Sequence, residues 1–111
     1  MADPKVRQIK IKTGIVKRLV KEKQMYEKDV ELQKEKIAKL KSEPNSDAYL
    51  IRKQDEVLEE SRQMIPDTRK RLYLALNDLR NILDSENDLS EIEEYITAQN
   101  IVKDAEAALE A

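Results

Sequence analysis

Ile51, Leu58, Ile65, Leu72 and Leu79 fall on every seventh residue without a slip, and this apolar line passes straight through Pro66. Two helices meeting at a turn would lose that phase, because turn residues belong to neither repeat. A kept phase predicts one long helix, kinked at Pro66. Proline costs roughly 3 kcal/mol inside a helix, since it has no N–H to donate and its ring collides with the carbonyl four residues back, here that of Arg62. Burying five aliphatic side chains at about 1.5–3 kcal/mol each outweighs that loss if a partner helix covers the line. The kink is therefore expected inside a packed bundle.

What else the chain contains narrows the choice. Of its 111 residues 40% are charged and only 4% aromatic, which leaves material for a narrow seam between long helices and not for a broad core. One glycine and three prolines supply almost no turn vocabulary, so an all-α fold is expected and sheets are not. No run of about 18 apolar residues offers a membrane span. Met1–Lys12 lacks the apolar core of a secretory signal, so a cytoplasmic protein with no membrane partner is expected. The absence of cysteine excludes a disulfide scaffold and thiol chemistry, and the absence of histidine removes the commonest general base and metal ligand. The adjacent acids Glu59–Glu60 and Glu93–Glu94 point apart on a helix and frame no site. No enzyme, no cofactor and no metal is the expectation.

Three helices can be marked. In the first, about residues 5–43, Ile9, Val16, Val30 and Ile37 share one heptad position, and Leu19, Tyr26 and Leu40 lie three residues on. Lys23 and Gln33 interrupt this seam. Lys23 is expected to lay its stem along the core and lift its charge into water. Gly14 is expected to mark either a close backbone approach or a slight bend. Ser42–Asp47 forms the clearest break, with Asn45, Ser46 or Asp47 available as a helix cap. The second helix is expected over about 47–86, its stripe widened beyond the proline by Ala75, Leu76, Ile82 and Leu83, so that its second half packs better. After a weaker break at Ser85–Asp88, the residues Leu89, Ile92, Tyr95, Ile96, Val102, Ala105 and Leu109 predict a third, shorter helix over about 89–110. The architecture is then a single domain: an elongated, antiparallel, up-down-up three-helix bundle with coiled-coil-like seams. At 1.5 Å per residue the first two helices run about 60 Å and the third about 33 Å. The far end, around Leu40 and Ile51, is left as a two-helix tip, the region expected to fray first.

Charge is segregated: residues 1–43 carry a net charge of +6, residues 44–83 of 0 and residues 84–111 of −8. In the expected bundle the acidic Asp84–Glu94 starts beside the basic Lys5–Lys21, so part of the asymmetry is internal pairing. The basic excess, at Lys10, Lys12, Lys17, Arg18 and Lys21 among others, also suits steering of an acidic partner. Nucleic acid is disfavoured, because no aromatic lies among these cations to stack a base and the chain as a whole is acidic.

Two stretches carry a recognisable wording: ADPKVRQIKIKTGIVKRLVKEK from Ala2 to Lys23, and EESRQMIPD from Glu59 to Asp67. With MYEK at Met25–Lys28 and RKQDEVLEES at Arg52–Ser61, they closely resemble the tubulin-binding cofactor A family, over roughly residues 2–83. From about Leu89 onward the likeness is mainly one of composition and length, and Thr68 stands where related sequences often carry cysteine. The resemblance implies a cytoplasmic, cytoskeleton-associated, ATP-independent helical chaperone. Such a protein captures quasi-native β-tubulin released from chaperonin and holds it on the way to heterodimer assembly, with other tubulin-folding cofactors as further partners. Beside it, the basic first helix would speed encounter while apolar groups near the kink supply short-range contact. Candidate contacts are Lys10, Lys12, Lys17, Arg18 and Lys21 on the first helix and Glu60, Arg62, Gln63, Met64, Pro66, Asp67 and Arg69 around the kink. Met64 either faces outward or completes the core. The alternative from another class is a structural coiled-coil adaptor that binds amphipathic helices. A monomer is expected, with a homodimer left open by the tip residues Tyr26, Leu40, Tyr49 and Ile51.

Overall fold

The computed structural model describes residues 3–111, so Met1 and the first residue of the N-terminal wording, Ala2, lie outside it. Three α-helices, α1 (Pro4–Ser42), α2 (Ala48–Ser85) and α3 (Glu93–Glu110), run up, down and up along a body of 66 × 26 × 17 Å. No strand occurs among the described residues, and none of the helices is long and apolar enough to cross a membrane. α1 starts because Asp3 caps it, its carboxylate accepting from the Lys5 amide at 2.9 Å, with Pro4 in the first turn. Asp47 caps α2 in the same way through the Tyr49 amide at 2.9 Å, one of the three caps that the Ser42–Asp47 break offered.

α2 passes Pro66 without a break, as the unbroken heptad required. Its apolar line changes character there: Ile51, Leu58 and Ile65 are half-buried, whereas Leu72 and Leu79 are fully buried together with Leu76. The cause is α3, which lies against the second half of α2 and the first half of α1. The core accordingly gathers Ile9, Val16 and Val20 from α1, Leu72, Leu76, Leu79 and Leu83 from α2, and Tyr95, Ala98 and Ala105 from α3. Small residues at Ala98 and Ala105 let α3 approach closely. At its start the Tyr95 hydroxyl donates to the Leu83 carbonyl at 2.8 Å, satisfying an oxygen that the end of α2 leaves without a helical partner. At its end Arg69 reaches the Ala111 carbonyl at 3.4 Å. Pro66 therefore stands where the bundle passes from three helices to two.

Two expectations are corrected, and one of the two alternatives for Gly14 is removed. α3 begins at Glu93 and not at 89: Asn87–Leu89 is a 3-10 turn, and Leu89 and Ile92 reach the core from this connection, which is why their spacing mimicked a helical stripe. Lys23 does not lift its charge into water. It is 2% exposed, and its Nζ donates to Glu27 Oε1 at 2.6 Å one turn on, so the covered amine is met by a carboxylate at the edge of the seam. Gly14 marks no close approach, since a methyl placed on it would meet nothing within 4 Å.

Candidate functional site

Heptad geometry fixes which sides of the α1–α2 pair are covered. On α1 the positions one and four residues after the Ile9–Val16–Lys23 line include Lys10, Thr13, Lys17 and Val20, and these face α3: Lys10 and Thr13 lie with Glu93, Glu94 and Thr97, and Lys17 and Val20 with Ile101 and Asp104. On α2 the equivalent positions include Pro66, Arg69, Tyr73 and Arg80, which border a groove closed by Glu106 and Leu109. Arg80 pairs with Glu106 across it at 2.8 Å. The opposite side of the pair has no third helix. Its edge is marked by Glu22 and Arg71, joined across the seam at 3.0 Å.

The candidate contacts do not converge on one site. Lys10, Lys17 and Lys21 border α3, Pro66 and Arg69 sit at its far end, and Glu60, Gln63 and Met64 form a shallow hollow with Tyr26 on the uncovered side. Arg18 falls on the uncovered side as well, by its heptad position. Asp67 is tied to Arg71 at 3.3 Å, and Arg62 is exposed on the two-helix side of the proline. Met64 is 36% exposed, with its sulfur-bearing chain at the rim of the Tyr26 hollow. Internal pairing absorbs part of the basic excess, through Lys5–Glu86 at 3.3 Å and Lys12–Asp78 at 3.8 Å. Glu86, as hydrogen-bond acceptor and anion, raises the Lys5 ammonium above its ordinary 10.5. The small stabilisation this implies is present at neutral pH and is lost only as pH rises past that range. Lys17, Arg18 and Lys21 enter none of the ion pairs among the described residues.

The exposed large apolar side chains were not singled out as a group by the sequence; besides Tyr49 at the start of α2, Tyr73 in the α3-side groove and Ile96 on α3, seven of them share one side. Ile11, Met25, Leu32, Leu50, Val57, Met64 and Leu74 are all at least 36% exposed. By heptad position all seven lie on the side away from α3. A second seven-residue line, Leu50, Val57 and Met64, was the signal for it, lying one residue before the core line. Among the described residues no group of acids and sulfur or imidazole ligands is placed to hold a metal ion. The grooves are open and shallow, unlike a small-molecule site that buries most of its ligand. The arrangement offers surfaces for a macromolecule.

Known proteins place the chain. A sequence profile described as "Tubulin binding cofactor A" matches residues 4–102. The match runs beyond residue 83, where the recognisable wording ended, and into the first part of α3. "Tubulin-specific chaperone A" of Rattus norvegicus is 61% identical over 102 residues, covering 92% of this chain and 94% of the relative. The structure titled "human tubulin chaperone cofactor a" superimposes with a TM-score of 0.79 at 51% identity, over 93% of this chain and 99% of that one. The tubulin folding cofactor A structure of Arabidopsis thaliana gives 0.84 at 42%, over 93% and 96%. With both long helices, the proline passage and the first part of the third helix accounted for, this chain belongs to the tubulin binding cofactor A family.

Proposed function

We propose that this protein is a tubulin-folding cofactor, a chaperone that captures quasi-native β-tubulin released from chaperonin and holds it, without ATP, on the way to the αβ heterodimer in the cytoplasm. Family membership across residues 4–102 carries this reading. The physical character of the molecule supports it: a long, highly charged rod with open faces is suited to holding a large folded surface. Lys17, Arg18 and Lys21, free of ion pairs among the described residues, raise the encounter rate with an acidic client, and the apolar side chains of the uncovered side supply short-range contact.

The test is a pull-down with purified α- and β-tubulin, with and without added nucleotide. Retention of β-tubulin alone, unchanged by ATP, is expected; equal retention of both subunits would refute the assignment. Charge reversal at Lys17 and Arg18 is then compared with reversal at Arg69 and Arg71. The first pair is expected to slow association several-fold and to lessen its salt dependence, the second to leave the on-rate near wild type.

A further inference from the structure

Gly14 is the one glycine of the chain, and it stands inside α1. Glycine weakens a helix relative to alanine, and nothing within this chain calls for it there: a methyl placed on Gly14 would meet no atom within 4 Å, and its φ is not positive. Five residues after Ile9 and two before Val16, both fully buried, it falls on the side of α1 turned away from the α2 seam. On a helix surface the neighbours of a residue lie three, four and seven positions away. Those of Gly14 are Arg7, Lys10, Ile11, Lys17, Arg18 and Lys21, all exposed: five cations and one large apolar side chain. None of the five cations enters an ion pair among the described residues. Glu93 and Glu94 border the same hollow as Lys10, and Asp104 the same hollow as Lys17, without pairing to them. The glycine leaves a gap at the centre of a basic ring.

We propose that an acidic helix of the client crosses α1 at Gly14. The missing side chain lets the two backbones approach closely at the crossing point, and carboxylates one and two turns to either side on the client helix meet Lys10, Lys17, Arg18 and Lys21, with Ile11 packed at the edge. A helix suits the ring because acids spaced three, four and seven residues from its own crossing point match the offsets of the cations from Gly14. Five cations without partners select for acid, and no acid of the ring itself repels it. This crossing presupposes the β-tubulin capture proposed above and names the surface it uses. Steering needs only the charges and acts at long range, whereas the gap at Gly14 matters only at contact, so the two roles separate in the rates.

Association and dissociation rates with purified β-tubulin, measured beside thermal unfolding for the wild type, Gly14→Ala, Gly14→Leu and Ala38→Leu, are the test. Ala38 is exposed on the same helix, about 36 Å further along. Gly14→Ala is expected to melt higher than the wild type and yet to release β-tubulin several-fold faster, with an on-rate near wild type because no charge has changed. Gly14→Leu is expected to bind about tenfold more weakly or worse, and Ala38→Leu to match the wild type. A glycine that serves the fold alone cannot give a gain in stability together with a loss of affinity. Gly14→Ala that binds as tightly as the wild type would overturn the proposal and assign the glycine to the curvature of α1, and this holds even where Gly14→Leu fails to fold. Equal weakening by Ala38→Leu would overturn it as well, by removing the crossing from Gly14. A wild type that does not retain β-tubulin would refute the capture reading and this one with it; a wild type that retains it, with indifferent glycine variants, would refute this one alone.

Discussion

The same two helices build both ends of this molecule, yet they are held together by different means on either side of Pro66. In the three-helix half, Leu72, Leu76 and Leu79 are fully buried against aliphatic and alanine neighbours from both other helices. In the two-helix half the seam is partly polar. Lys23, buried in it, pairs with Glu27 at its edge, Gln33 donates its amide to the Gln54 carbonyl at 3.2 Å and to the Gln54 side chain, and Ile51, Leu58 and Ile65 are only half-covered. Hydrophobic area stabilises the first half; specific polar pairs fix register in the second at the cost of stability. The comparison teaches where α3 is needed. Beyond Pro66 the flank it would cover is charged, so a longer third helix would have nothing to bury.

The largest effects should fall in the three-helix half. Leu72→Ala is expected to cost about 2–5 kcal/mol in urea unfolding, and Leu58→Ala, across the proline, clearly less. Equal losses would erase the distinction. Pro66→Ala restores an amide donor at the junction and is expected to stabilise by up to about 3 kcal/mol. Retained β-tubulin capture in that variant would leave the kink a matter of packing, and lost capture would make it part of binding. Tyr95→Phe leaves the Leu83 carbonyl without its buried donor and is expected to cost about 1 kcal/mol, which would show how much the start of α3 anchors the thick half. Smallest is Gly14→Ala, in α1, expected to gain about 0.5–1 kcal/mol because the added methyl meets open space.

The helices were legible because their signals are local and repeated: a seven-residue period that survives Pro66, and caps at fixed offsets such as Asp47. The start of α3 was not, because Leu89 and Ile92 reach the core from a 3-10 turn at the spacing a helix would have used. Lys23 was misread for a related reason: nothing in its own position says that Glu27 will fold back over it. The candidate site was the least legible. Whether Lys17 and Met64 share a face depends on which flank α3 covers, and that follows from comparing Val20, Leu76 and Leu83 with their charged counterparts nearer the tip, such as Glu27, Asp55 and Arg62. The signal was present, distributed over residues far apart in the chain.

Native-state amide hydrogen exchange along α2 tests the central distinction most directly, because one continuous helix crosses both regimes. Amides from Thr68 to Leu83 are expected to exchange only through global unfolding, and those from Ile51 to Arg62 through a cheaper local opening, with protection stepping up near Pro66. Uniform protection along the helix, or stronger protection toward the tip, would contradict it.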